Sequence, residues 1–199
     1  GFGFVDCDSN VYGWAKDRLL AIADSDKSVI DAGCGKCGQM DSFRNAGSYY
    51  GIESSREMID GIPPEFGVQV VAWDGSLVNV SEAMQKSKIN RVVIHGQIQE
   101  VCPRIRAHVA ASLFNLICFR KPKEPVNYIR QGLRPGGVIV IVSNAMIPNE
   151  LDIDKNDPYA SIEIDLHGQK SGPNLPQGSE FRQVLHLQRD DGRQFDLAL

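Results

Sequence analysis

Short apolar runs alternate with stretches of helical spacing along this chain. Five runs predict strands, at 29–32, 49–52, 68–72, 91–94 and 138–142. Each is apolar on nearly every residue, the pattern of a strand buried on both faces. Helical spacing fills the gaps. Val11, Trp14, Ala15, Arg18, Leu19 and Ile22 predict a helix over 10–23, and a short helix fits 39–45. Ser54 with Glu57 reads as a capping box opening a helix over 55–60. Further helices are expected at 81–88, at 104–119 and at 126–133, the second being long, apolar and broken by Lys121-Pro122-Lys123-Glu124-Pro125. Pro135-Gly136-Gly137 reads as a tight turn.

This alternation places helices on both faces of a parallel sheet. The tail differs. The runs 181–188 and 194–199 flank Asp190-Asp191-Gly192 and predict an antiparallel hairpin. The expected fold is therefore α/β: a doubly wound, mostly parallel seven-stranded sheet ending in an antiparallel hairpin. The stretch 144–179 is rich in Pro, Gly, Asn and Asp and reads as a substrate-side loop, with room for a short strand at 161–166. No repeat, low-complexity tract or second domain interrupts 1–199, so one domain is expected.

Composition narrows the class. The formal net charge is −4, which argues against broad electrostatic binding of nucleic acid. No apolar run reaches bilayer length, so no membrane partner is expected. Five cysteines (Cys7, Cys34, Cys37, Cys102 and Cys118) read as free thiols in a reducing, cytoplasmic setting. Cys34 and Cys37 form a C-x-x-C, but no second ligand pair follows, so no metal is expected. The chain opens on Gly1-Phe2-Gly3-Phe4 rather than Met, and a parent polypeptide or partner subunit is an expectation.

The chemistry concentrates after the first two strands. Asp31-Ala32-Gly33-Cys34-Gly35-Lys36-Cys37-Gly38 follows the first, and its glycines let the backbone turn sharply beside a ligand. Glu53 ends the second strand. A glycine turn after one strand and a carboxylate after the next is how an open α/β sheet holds a nucleoside-bearing cofactor. Gly33, Gly35 and Gly38 also fit G-x-G-x-x-G, the dinucleotide fingerprint.

Four segments in order resemble the class I S-adenosylmethionine-dependent methyltransferases. Val29-Ile30-Asp31-Ala32-Gly33-Cys34-Gly35 resembles the first motif of that family. Gly51 to Ile59 resembles its second-strand signature, Val71-Ala72-Trp73-Asp74-Gly75 its adenine segment, and Leu133-Arg134-Pro135-Gly136-Gly137 the turn before its fifth strand. The resemblance covers about 29–142 and implies a Rossmann-like methyltransferase fold. It implies S-adenosyl-L-methionine as cofactor and S-adenosyl-L-homocysteine as product. It assigns cofactor contacts to Asp31, Gly33, Cys34, Gly35, Gly38, Glu53, Ser54, Met58, Trp73, Asp74 and Gly75. Asp31 would anchor the amino-acid end and Glu53 the ribose. Cys37 departs from the family, standing where a third glycine is common; the turn differs there or Gly38 takes over.

The acceptor is less legible. A small molecule or carrier-bound metabolite fits the acidic chain better than a nucleic acid or protein, and a silent accessory domain is a further alternative. His95, after the fourth strand, is the candidate general base. Its bland alternative is lining the cofactor pocket. Asn144 and the loop beyond it are the other strand-end candidates. Asn156-Asp157-Pro158-Tyr159 resembles an amino-methylating motif in part, but it follows the wrong strand and reads as a turn. Glu100, Lys121, Lys123, Tyr159 and His167 read as solvated or loop residues.

Overall fold

The computed structural model describes residues 13–113, 123–143, 160–169 and 180–187. Its strands are β1 (Ser28–Ala32), β2 (Ser48–Glu53), β3 (Gln69–Ala72), β4 (Arg91–His95), β5 (Ala107–Leu113), β6 (Leu133–Ser143), β7 (Ala160–Gln169) and β8 (Glu180–Leu187). Its helices are α1 (Gly13–Ile22), α2 (Arg56–Asp60), α3 (Leu77–Lys86), α4 (Ile98–Val101) and α5 (Lys123–Gln131). The strands form one sheet in the order β3-β4-β2-β1-β5-β6-β7-β8. All pairings are parallel except β7 with β8.

Two apolar layers explain the near-continuous apolar runs. On one face Ile30, Ile52, Ile94 and Ala110 pack with Val80 of α3, Ile98 and Val101 of α4, and Val126 and Ile129 of α5. On the other, Val29, Tyr49, Val93 and Val109 pack with Leu19 of α1, Ile59 of α2, and Met40 and Phe43 of a 3₁₀ turn. Neighbouring residues of one strand therefore serve opposite layers. This is the doubly wound architecture expected from the sequence.

Several local expectations change. Among the described residues the sheet has eight strands: six of the expected ones, β7 from the expected loop, and β5, which takes up part of the expected helix 104–119 and pairs with both β1 and β6. Ala107, Val109, Ala110 and Ala111 are all buried, and an all-apolar run does not separate helix from central strand. The expected Pro-Gly-Gly turn lies inside β6, as an irregularity. Ala107 faces Leu133 but Val109 faces Val138, so two steps of β5 answer five of β6. Pro135 has no N–H to give a ladder. The α2 cap is Ser55 rather than Ser54: its hydroxyl accepts from Met58 N at 3.3 Å. The antiparallel partner of the 180–187 run is β7, within the expected loop; the 194–199 run lies outside the described residues, as do Asn144, the segment 156–159, Cys7, Cys118 and Lys121.

Candidate functional site

The carboxyl ends of β1 and β2 meet at the glycine turn. Gly33 N and Cys34 N both donate to the Ile52 carbonyl, at 2.8 and 3.1 Å, which ties the turn to the end of β2. Gly33, Gly35 and Cys37 have φ of +76°, +55° and +61°. Cys37 thus adopts the left-handed backbone itself, while Gly38 is absent from that region of φ and does not substitute for it. A Cβ added at Gly35 or Gly38 would meet nothing within 4 Å. The space over the turn is open.

Glu53 closes this turn from the neighbouring strand. Its Oε2 accepts from Gly35 N at 3.0 Å and its Oε1 from Ser55 N at 2.7 Å. A carboxylate offers about four lone-pair sites, so roughly two are left for a ligand.

Asp31 lies beneath the turn and is buried. Tyr49 Oη donates to its Oδ2 at 2.8 Å and also approaches Cys37 Sγ at 3.8 Å. Burial pushes the Asp31 carboxyl up to about 7; the Tyr49 hydrogen bond opposes this and the Glu53 charge adds to it. The Tyr49 hydroxyl is held well above its ordinary value, first by burial and then by the charge of Asp31. The Cys34 thiol is raised as well, by its hydrogen bond with Cys37 and by burial, and so stays protonated.

Gly51 makes the Asp31–Tyr49 pair feasible. Tyr49, Gly51 and Glu53 alternate onto one face of β2. A Cβ at Gly51 would stand 2.9 Å from Cys34 Sγ and 3.0 Å from Tyr49 Cε1. Its absence lets the Tyr49 ring lie along the strand toward Asp31. Behind the ring, the Arg91 guanidinium sits 5.6 Å from the Tyr49 centroid and donates from Nη2 to the Phe43 carbonyl at 2.8 Å.

Beyond Glu53 the strand ends run in register. Gly96 N donates to Glu53 O at 3.0 Å and Trp73 N to His95 O at 2.9 Å. His95 Nε2 lies 3.2 Å from the Ser54 carbonyl, which only accepts, so Nε2 is the donor of this contact. Trp73 and Gly75 line a cleft of about 550 Å³ with Gln99, Glu100, Pro103 and Arg104. Asp74 is engaged locally: Oδ1 accepts from Ser76 N at 2.9 Å and Oδ2 from the Asn79 amide. Met58 is half-buried on α2 and Ser54 is exposed before it.

The topology changes the place of His95. Sheet order reverses at β1, between β2 and β5. In open α/β sheets the ligand crevice lies at such a point. His95 ends β4, on the far side of β2 from that crevice, rather than on the strand next to β1. The strand that occupies that place is β5, which the sequence pattern hid. Near its carboxyl end, Ser112 Oγ is buried with no hydrogen-bond partner among the described residues. Tyr49, Arg91 and Ser112 are the site residues that sequence reasoning missed; only the spacing of Tyr49 to Gly51 carried a signal. Among the described residues no group of three or more His, Cys, Asp or Glu side chains is arranged to hold a metal, and no helix is long and apolar enough to cross a membrane.

No family model matches the chain, and no curated protein matches it in sequence. The similarities found are to solved structures, at low sequence identity. SAM-bound CalS10, an amino pentose methyltransferase from Micromonospora echinaspora, is 16% identical with a TM-score of 0.47, covering 91% of this chain and 64% of that one. The cyclase SpnF is 14% identical with a TM-score of 0.47, covering 83% and 48%. A methyltransferase from Mesorhizobium loti, S-adenosylmethionine dependent, is 12% identical with a TM-score of 0.44, covering 79% and 54%. The chain spans about half the length of the first solved structures it matches. By the order and direction of its own strands, this chain is a doubly wound α/β protein of Rossmann-like fold.

Proposed function

We propose that the carboxyl edge of β1 and β2 holds S-adenosyl-L-methionine, and that the protein is a methyltransferase for a small-molecule or carrier-bound acceptor. The observation that carries this reading is Glu53, fixed by Gly35 N and Ser55 N beside an open glycine turn. Its remaining lone pairs suit a ribose diol, which donates two hydroxyl protons. Asp31 suits an ammonium group. A carboxyl poised about pH 7 ionises when a cation arrives, so cofactor affinity should weaken as pH falls below that value. Cys34, Gly33 and Gly38 form the floor of the turn. Ser54 and Met58 flank Glu53, and Trp73 with Gly75 offers a wall for the adenine.

The cofactor supplies an electrophilic methyl group on a sulfonium. The protein's share is placement of an acceptor lone pair in line with it, which alone accounts for much of such a rate. His95 holds the Ser54 carbonyl through Nε2 and borders the nucleoside half of the site. Its role is then positioning of the Ser54–Glu53 corner. His95→Ala should lower cofactor affinity, whereas a general base would lose turnover with affinity kept.

A second reading, a silent accessory domain, draws on Cys37, which holds a left-handed backbone where the resembled family commonly has a glycine. Calorimetry separates the two. Methyltransferase function requires micromolar binding of S-adenosyl-L-methionine and S-adenosyl-L-homocysteine, weakened about a hundredfold by Glu53→Ala as two charge-assisted bonds are lost. A well-folded protein that binds neither would overturn it.

A further inference from the structure

The opposite edge of the sheet carries a second concavity. It opens at the amino ends of β1, β2, β5 and β6 and has a volume of about 430 Å³. Lys27, Arg106, Arg134, His108, Ser28 and Ser48 line it. A smaller cavity of about 130 Å³ shares Lys27, His108 and Arg134. These three groups therefore face two adjoining spaces.

The cations are held but not neutralised. Arg134 Nε donates to the Arg106 carbonyl at 2.9 Å, and Arg106 Nη1 donates to the Gln131 carbonyl at 2.7 Å. Each guanidinium is anchored through one N–H and keeps its other donors. Among the described residues none of Lys27, Arg106 and Arg134 forms an ion pair with a carboxylate. One acid, Asp26, lines the cleft; Asp24 is nearby and accepts from Asp26 N at 3.1 Å.

His108 reports the sign of this field. Its Nδ1 accepts from Ser28 N at 3.0 Å, with Ser28 Oγ at the same distance. The ring is therefore neutral with its proton on Nε2. Its pKa is lowered by burial and by the charges of Arg134 and Lys27, against the opposing charge of Asp24. An anion in the cleft would reverse that push.

We propose that this cleft binds the phosphate group of a small phosphomonoester. Two arginine forks and an ammonium match the charge and the several acceptor oxygens of such a dianion. The Ser48 hydroxyl and the His108 Nε2–H add neutral donors, while the Ser28 hydroxyl is turned to His108 Nδ1. The volume far exceeds the roughly 30 Å³ share of one water, leaving room for the organic part. The site lies at the amino ends of the strands, remote from Glu53 at the carboxyl end of β2.

The test follows the His108 imidazole by NMR in the full chain at constant ionic strength. Inorganic phosphate and ribose 5-phosphate are the two probes. A saturable shift is expected, with the His108 titration midpoint moving upward and ribose 5-phosphate binding more tightly. Arg134→Gln and Lys27→Gln should each weaken binding about tenfold. Lys86→Gln, an exposed cation on α3, should leave it unchanged. The Lys27 ammonium makes no described hydrogen bond, so its variant tests the site without disturbing the Arg134 anchor. No saturable shift with either probe, or binding by Lys27→Gln and Arg134→Gln as tight as by the parent, would overturn the proposal. Equal binding of the two probes would make the ligand free phosphate and sink the phosphomonoester.

Discussion

The two edges of this sheet solve opposite electrostatic problems. At the carboxyl edge, two carboxylates lie close together beneath a turn built from backbone donors. At the amino edge, three cations surround a neutral imidazole, and carbonyl oxygens hold the guanidinium groups. The first edge is organised by main-chain N–H groups and by burial, the second by long side chains at the surface. Main-chain sites of the first kind are fixed by backbone geometry, so their failures appear as folding defects. Side-chain sites of the second kind lose affinity with little loss of fold.

The largest expected effect breaks the carboxyl edge by pH. The Asp31 carboxyl titrates at about 7 in the folded protein against 3.8 unfolded. The folded state therefore binds the extra proton between those values, and its stability falls as pH rises through that window. The difference amounts to something on the order of 4 kcal/mol. Asp31→Asn should abolish it, so denaturant unfolding of variant and parent should diverge between about pH 4 and pH 8, in favour of the variant at the upper end. Parallel pH profiles would refute the buried ionisation.

Glycine variants sharpen the contrast at one remove. A Cβ at Gly47, on the rim of the amino-edge cleft, would stand 2.0 Å from the Ser25 carbonyl oxygen, where backbone must move. Gly47→Ala should cost about 3 kcal/mol or more. Gly51→Ala at the other edge meets side chains and should cost about 2 kcal/mol, chiefly by prying Tyr49 from Asp31. Chemical-denaturation midpoints give both, and a reversed order would contradict the geometry described. The smallest effect is local. Ser55→Ala removes the α2 cap and should cost about 1 kcal/mol while leaving the amino edge untouched in an NMR shift map.

Much of the carboxyl edge was legible in the sequence, because its turn is written in adjacent residues. Asp31 to Gly38 and Glu53 sit at strand ends that apolar runs announce. The Asp31–Tyr49 pair was not, since only the parallel register of β1 with β2 brings those residues together. The strand β5 was hidden by its own apolarity. With it went the position of His95 relative to the crevice, because strand order cannot be read from strand existence. The amino-edge cleft was invisible for a similar reason: Lys27, Arg106 and Arg134 are scattered along the chain and meet only through sheet order.

The pairing of β1 with β5 also sets a schedule. β1 and β2 can join early, but the other side of β1 stays open until Ala111 has been made, about sixty residues after Glu53. At ribosomal rates that is a wait of roughly 3 to 12 s. Through that interval Val29 and Ile30 lack one neighbouring strand, and the nascent chain offers that edge to any chaperone or sister chain within reach.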